Sequence, residues 1–366
     1  MRVTFPHMGN LYIPLKAMLN YLEVDVVVPP PSSKKTLNLG VKHGPEFACM
    51  PLKLNLGNFI EAREMGADTI IMAGGCGPCR FGYYAQIEHA ILKDIGCDMQ
   101  LIVLEPPEKN ISELIVKMKK ITGSRSWWQV IQAIRFGYQK ALAVDEMEKT
   151  AFQVRPREAK PGATDRAFSE ALTLIDNAAS QVELAEARKK ADTIMAGVAR
   201  KHGAPVVRIA VIGEIYTLLE PFSNHRLERH LGLLGVEVDR SIYLSEWVND
   251  HLLFGLVKNL RSSKDACASA SPYLCHFVGG HGQETVGSAV NYALAGYDGI
   301  IQVYPFTCMP EIVAQSILPG VGSDYDIPIL TLIMDEHTGE AGLQTRLEAF
   351  IDLLARRKET REAVNR

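Results

Sequence analysis

The sequence predicts an α/β protein in which two doubly wound parallel sheets are separated by a helical region. Over residues 1–110, short apolar segments rich in β-branched residues alternate with helical segments, a pattern typical of parallel α/β units. Residues 111–204 instead carry apolar residues every three or four positions, as packed helices do. The alternation returns over residues 205–366. We therefore predict three regions with these boundaries.

Four segments of the first region are predicted to run as strands because they are short, apolar and bounded by turn residues. They are RVTFPHMG (2–9), VDVVVPP (24–30), DTIIMAGG (68–75) and QLIVLEPP (100–107). The segments between them have helical spacing, namely YIPLKAMLNYL (12–22), LGNFIEAREMG (56–66) and residues 83–95. The middle region is predicted to be helical over 111–123, 127–152 and 165–203.

The last region repeats the strand and helix alternation of the first. Its predicted strands are VVRIAVIGEI (206–215), VEVDRSIYL (236–244), YLCHFVGG (273–280), GIIQVYPF (299–306) and PILTLIMDE (328–336). Predicted helices lie at 226–235 and 345–364. In both halves a Gly-x-Asp turn leads into Ile-Ile, and a cysteine follows the strand, as in 66–79 and 296–308. This favours two related halves, although many helix-to-strand turns contain Gly and Asp.

Composition narrows the function classes. The 366 residues are 47% hydrophobic and 22% charged, which is typical of an ordinary globular protein. With 39 basic and 42 acidic residues, the chain has no overall attraction for nucleic acid or an anionic membrane. Residues MRVTFPHMGN lack the features of a secretory signal, and no apolar segment approaches the roughly 20 residues of a membrane span. We expect a cytoplasmic protein.

The cysteines are the strongest indication of chemistry. Seven cysteines in a large chain without a secretory signal do not suggest a disulfide framework. Cys76, Cys79 and Cys308 follow predicted strands, and ligands of open parallel sheets bind outside the carboxyl ends of the strands. Soft thiolates that converge from separate loops suit zinc or an iron-sulfur cluster. The single C-x-x-C argues against a self-contained zinc knuckle.

Two other interpretations of the cysteines remain open. The segment GCGPC (75–79) contains the Cys-Gly-Pro-Cys of thioredoxin-like redox pairs, although those occur at a helix start in much smaller domains. Alternatively, the cysteines are small apolar side chains of the core, which is the favoured interpretation for Cys97.

Two polar residues are weaker candidates for catalysis. Glu214 lies at a predicted strand end, where it can contact a ligand or cap the following helix. His281 adjoins a Gly-Gly turn whose amides can hold an acidic group or simply form a surface turn. The sequence has neither a G-x-G-x-x-G dinucleotide fingerprint nor a Walker A motif, so direct ATP binding is not expected.

Several motifs resemble one known family. They are EFACMPLKLNLGNFIEA (46–62), GGCGPCRFGYY (74–84), AVIGEIYTLLEPFSN (210–224), YDGIIQVYPFTCMPEIVAQSI (297–317) and IMDEHTGEAGLQTRLEAFIDLL (333–354). Together they are similar to proteins related to the D-component of 2-hydroxyacyl-CoA dehydratases, also described as activase-related or double-cubane cluster proteins. The resemblance covers most of both α/β regions and is least informative across the helical middle.

The resemblance implies two Rossmann-like domains with an iron-sulfur cluster in the cleft between them, bound by three cysteines. Carried over by position, Cys49 matches the first ligand and Cys308 the last. The middle ligand falls on Cys76 or Cys79, and Cys79 is favoured because Cys-Arg-Phe-Gly-Tyr aligns better. Cys275 is an additional candidate, so the cluster is either [4Fe-4S] or a double-cubane [8Fe-9S].

The resemblance also implies a function. A separate ATP-hydrolysing activase of the actin-like fold would supply low-potential electrons, which this protein would pass to a small substrate or another cluster. The protein would then act as an oxidoreductase component in anaerobic metabolism. One alternative is a 2-hydroxyacyl-CoA dehydratase subunit that removes water through a radical. The other is a non-catalytic partner of the activase without a cluster. We expect a homodimer or a heterodimer with a related subunit.

Overall fold

The computed structural model describes residues 1–75, 78–104, 111–123, 125–201, 206–253, 255–258 and 260–364, with the side chains of 111–115, 362 and 364 excepted. It contains two four-stranded parallel sheets flanked by helices. The predicted fold class is therefore confirmed. Within the described residues, no helix is both long enough and apolar enough to cross a membrane.

The first sheet has the strand order β2-β1-β3-β4, and every neighbouring pair is parallel. Its strands are Arg2–Thr4 (β1), Asp25–Val26 (β2), Thr69–Ala73 (β3) and Gln100–Leu104 (β4). The helices of this half are Tyr12–Tyr21 (α1), Lys34–His43 (α2), Met50–Glu64 (α3) and Tyr84–Asp94 (α4). Apolar clusters cover both faces of the sheet. One is formed with α3 and α4, and the other with α1 and the first two helices of the middle region. Burial on both faces explains the continuous apolar strands.

Four helices form the middle of the chain. They are Ile111–Thr122 (α5), Trp127–Val154 (α6), Ala163–Asn177 (α7) and Gln181–Ala196 (α8). Alanine-rich faces of α6, α7 and α8 pack together in one apolar cluster, which also receives Ile13 and Ala17 from α1. The middle helices are thus packed onto the first half.

The second sheet has the order β6-β5-β7-β8 and is also parallel throughout. Its strands are Val207–Gly213 (β5), Val236–Arg240 (β6), Gly299–Pro305 (β7) and Ile329–Met334 (β8). Its helices are Ile215–Leu219 (α9), Leu227–Leu233 (α10), Leu244–His251 (α11), Ser263–Ala270 (α12), Gly282–Leu294 (α13), Met309–Asp324 (α14) and Glu340–Val364 (α15). Met50 and Leu54 of α3 join the main core of this half, so the two halves share a core.

The two sheets have the same topology and the same local contacts. Before β3, the Asp68 carboxylate accepts the Arg2 amide at 2.9 Å, and before β7 the Asp298 carboxylate accepts the Arg208 amide at 2.8 Å. The Gly-x-Asp turns therefore bind the first strand of each sheet in the same way.

The helix pairs of the two halves match as well. A Cβ atom on Gly57 would lie 2.0 Å from the Thr36 carbonyl oxygen, and one on Gly287 would lie 1.7 Å from that of Ala266. Because no side chain fits at such distances, α2 with α3 and α12 with α13 pack backbone to backbone through glycine.

One predicted strand is wrong. Residues 273–280 form the loop between α12 and α13 rather than a strand. Tyr273 and Leu274 pack against a core cluster of the second half, while Gly279 and Gly280 adopt positive φ values of 90° and 45°. Only part of the apolar segment packs against the core, since Cys275 and Phe277 are exposed. The two left-handed glycines are incompatible with a regular strand.

Candidate functional site

The candidate site lies where the carboxyl ends of the two sheets face each other. In each sheet, the connections after the two central strands run in opposite directions. Doubly wound sheets form a crevice at this switch point, which here lies between β1 and β3 and between β5 and β7. Ligands of doubly wound sheets bind at such positions. Cys79 lies beyond β3, Glu214 directly follows β5, and Cys308 lies just beyond β7. Three sequence-predicted residues are thus near these crevices.

Helix starts position the cysteines. Cys49 precedes α3, Cys308 precedes α14, and Cys79 precedes a 3₁₀ turn formed by Arg80–Tyr83. The same tripeptide, Cys-Met-Pro, spans the start of both α3 and α14, with the cysteine just before the helix and the proline in its first turn. The free amides and the dipole at a helix start favour the thiolate form of cysteine. The repeated tripeptide is a signal in the sequence that points to both cysteines.

The loops of the two halves touch at the site. A Cβ atom on Gly279 would lie 2.8 Å from Cγ of Pro78 and 3.0 Å from the amide nitrogen of Cys79. The Cβ position of Gly280 is 3.8 Å from Sγ of Cys79. The predicted Gly-Gly turn therefore provides a surface without side chains, against which the Cys79 loop packs.

The three thiols share one electrostatic environment. Burial raises the pKa of Cys49 to about 11, and it also raises the pKa values of Cys79 and Cys308. The Glu214 carboxylate raises all three pKa values further. Cys49 is itself affected by Cys79, and Cys308 by Cys49. The residues predicted from the resemblance to be the favoured ligands therefore lie within mutual electrostatic range.

Glu214 caps the following helix, which is one of the two roles expected from the sequence. Its carboxylate accepts the amides of Tyr216 and Thr217, each at 2.9 Å, and so caps α9. Burial raises the pKa of Glu214, and its charge acts on the three thiols. The preceding Gly213 has a φ of 136°, and a Cβ atom there would lie 1.9 Å from the Val303 carbonyl oxygen. Only glycine allows β5 and β7 to approach this closely.

The sequence patterns did not identify Tyr84 and Glu311, which act on the thiols of Cys49 and Cys308. The Tyr84 hydroxyl forms a hydrogen bond with Sγ of Cys49, and burial raises the pKa of Tyr84 well above its usual value. Glu311 is fully buried, accepts the Thr285 hydroxyl at 2.8 Å, and acts electrostatically on Cys308. Burial raises the pKa of Glu311 to about 7. Their only sequence signal was adjacency to the cysteine motifs in CRFGYY and CMPE.

The other residues named from the sequence lie near the start of α13, in the core of the first half, or outside the described residues. His281 is at the start of α13, and burial lowers its pKa to about 4, so its imidazole is neutral at pH 7. Cys275 is exposed on the loop between α12 and α13. Cys97 packs against the core of the first half. Cys76 lies outside the described residues.

No preformed site for a single metal ion is present in the described part of the chain, where no three His, Cys, Asp or Glu side chains are grouped for one. In a single-ion site all thiolates bind one atom at about 2.3 Å. In a multi-iron cluster each thiolate binds a different iron and the sulfurs stand further apart. Two buried thiols and one half-buried thiol from three loops fit the second arrangement better. A bound cationic centre would offset the burial that raises their pKa values.

Comparison with known proteins gives the family. Residues 7–240 match the family model described as the CoA enzyme activase uncharacterised domain (DUF2229). A search of curated proteins found no match. The matched range includes β2 to β6 and the middle helices, and therefore Cys49, Cys79 and Glu214, whereas β1 and Cys308 lie outside it. Because the match covers more than half of the chain, this protein belongs to the CoA enzyme activase-related family.

Proposed function

We propose that the protein is an iron-sulfur protein that accepts low-potential electrons from an ATP-dependent CoA enzyme activase and passes them to a small substrate or another cluster. Cys49, Cys79 and Cys308 would be its thiolate ligands. The observation that carries the proposal is that the buried Cys49 and Cys308, each before a helix, and the half-buried Cys79, before a 3₁₀ turn, lie within electrostatic range of one another beyond the strands of two parallel sheets. The family match supports the link to an activase.

The donor set suits a cluster with one position left for another ligand. Three thiolates bind three irons of a [4Fe-4S] cluster, and Cys76 or Cys275 would supply further ligands in a larger [8Fe-9S] cluster. When bound, such a cluster supplies one-electron transfer at low potential. An open iron would favour direct contact with a substrate, whereas a fourth cysteine would favour electron relay.

The protein's own residues would hold the cluster thiolates in place and keep water away. The helix starts at Cys49 and Cys308 present backbone amides toward negative charge. The Tyr84 hydroxyl is placed to donate to the Cys49 thiolate. Hydrogen bonds of this kind tune both affinity and potential in metal sites. The low exposure of Cys49 and Cys308, 9% each, limits solvent access.

The expected partner is a separate activase of the actin-like fold that hydrolyses ATP. The protein itself would associate as a homodimer or with a related subunit in the cytoplasm. A direct check is to mix the anaerobically reconstituted protein with purified activase and ATP. ATP-dependent bleaching of the cluster absorbance is the expected result.

The test of the metal ligands is a pair of cysteine variants. Cys308→Ala should lose most of its iron after anaerobic reconstitution, whereas Cys97→Ala should retain the wild-type amount, because Cys97 lies in the core of the first half. Far-ultraviolet circular dichroism verifies that both variants are folded. Equal iron in the two folded variants would show that Cys308 is not a ligand.

A further inference from the structure

Arg80 connects all three cysteine loops. It directly follows Cys79, and its Nη1 donates to the carbonyl oxygen of Phe47 at 3.1 Å, two residues before Cys49. Its Nη2 donates to the carbonyl oxygen and the hydroxyl of Thr307, at 2.5 and 2.7 Å, directly before Cys308. One guanidinium therefore links two loops of the first half to one loop of the second half.

The contact with Thr307 accompanies an unusual backbone conformation. Thr307 has a φ of 70°, which is an unfavourable backbone conformation for a β-branched residue. Its hydroxyl donates to the Phe47 carbonyl oxygen at 3.3 Å while it accepts from Arg80. Such strain persists only where the surrounding contacts fix the conformation. Arg80 and Phe47 supply these contacts directly beside Cys308.

The charge of Arg80 also reaches the thiols. Among the groups that act on Cys49 and Cys79, Arg80 opposes the effects of burial and of Glu214 on the thiol pKa. A planar guanidinium can bond two carbonyl groups in different directions, whereas the compact ammonium of lysine cannot reproduce this fork. Charge and bridging can therefore be separated by substitution.

We propose that Arg80 is a positioning residue that holds the three cysteine loops at a fixed spacing and places a permanent positive charge beside the cluster thiolates. This inference rests on the proposed function for its second part. The positive charge favours the more negative, reduced state, so it raises the reduction potential. The hydrogen bonds hold the loops together whether or not iron is bound.

The test compares Arg80→Gln, Arg80→Lys and the wild-type full-length protein. The control is Arg188→Gln on α8, where an exposed arginine pairs with Glu146 on the surface. Two quantities are measured on reconstituted protein, namely the reduction potential by EPR-monitored titration and the rate of iron loss to a chelator. Amide hydrogen exchange in residues 46–49 and 306–309 is measured on the iron-free protein.

We expect Arg80→Gln to have a more negative potential and faster exchange in both loops. Since loss of comparable outer hydrogen bonds lowers metal affinity by about 10- to 100-fold, it should also lose iron faster by a similar factor. Arg80→Lys should recover the potential but not the exchange rates or iron retention, because it restores only the charge. Arg188→Gln should match the wild type.

Unchanged exchange in Arg80→Gln would overturn the bridging role, and an unchanged potential in a loaded Arg80→Gln variant would overturn the role of the charge. If the wild type takes up no iron, the proposed function and the charge role both fail. The exchange measurement then still decides the bridging role, so the failures can be told apart.

Discussion

Lys53 and Glu336 form an ion pair that joins the two halves. Lys53 lies on α3, its side chain is only 2% exposed, and its Nζ donates to the Glu46 carbonyl oxygen at 2.9 Å and to the Glu336 carboxylate. Glu336 follows β8 of the second sheet and is 18% exposed. Glu336→Gln would leave the buried ammonium without its counter-charge.

The expected cost is substantial. Removal of one partner of a buried ion pair destabilises proteins by about 3–5 kcal/mol. Because the Glu336 side is partly exposed and the Glu46 carbonyl remains, we expect a loss of about 3 kcal/mol in the free energy of unfolding. The double variant Lys53→Met/Glu336→Gln should recover part of the loss, since no unpaired charge remains buried.

The assay is urea unfolding followed by circular dichroism, with Glu146→Gln as the matched control. Glu146 pairs with Arg188 at 50% and 38% exposure, and exposed pairs contribute below about 1 kcal/mol. A loss in Glu336→Gln no greater than that in the control would refute the argument that this pair is buried between the halves.

Two further variants test the packing and the ionisation of buried groups. Gly213→Ala should lower the melting temperature, because the added methyl would meet the Val303 carbonyl oxygen. In the control Gly320→Ala the added methyl would meet nothing within 4 Å, and the free energy of unfolding should increase by up to about 1 kcal/mol. Equal melting temperatures of the two variants would contradict the close approach of β5 and β7. Burial raises the pKa of Asp145 to about 7, so the wild type should lose stability as the pH rises from about 4 to 7, because the unfolded chain releases its proton first. Asp145→Asn keeps an acceptor for the Ser245 amide and should flatten this pH profile in urea unfolding, whereas an unchanged slope would contradict the assignment.

Local patterns predicted the two parallel sheets and the position of Cys79, Glu214 and Cys308 beyond their strands. The Gly-x-Asp turns before β3 and β7 could be recognised because the same residues recur in both halves of the sequence. In the structure, both aspartates bind the first strand of their sheet. The cysteines beyond these strands could be placed at the carboxyl edge of each sheet from strand direction alone. The prediction of a strand at 273–280 was wrong because aromatic and apolar residues also occur in loops, where Phe277 is 62% exposed. The two glycines that end the segment were interpreted as the end of a strand.

Contacts between distant residues could not be predicted in this way. Arg80 and Thr307 are far apart in the chain, and nothing in CRFGYY or PFTC shows that one bonds the other. The hydrogen bond between Nδ1 of His7 and the Glu220 carboxylate, at 2.8 Å, likewise depends on how the halves meet. Such pairs follow from the packing of α3 against the second core, which no local pattern encodes.

The most direct test of the central claim is the iron and acid-labile sulfide content of the wild-type protein after anaerobic purification and reconstitution, together with EPR of the reduced sample. We expect bound iron and sulfide and an EPR signal from a reduced cluster, with iron lost in Cys308→Ala but not in Cys97→Ala. A colourless, iron-free and EPR-silent protein after reconstitution would contradict the proposed iron-sulfur function.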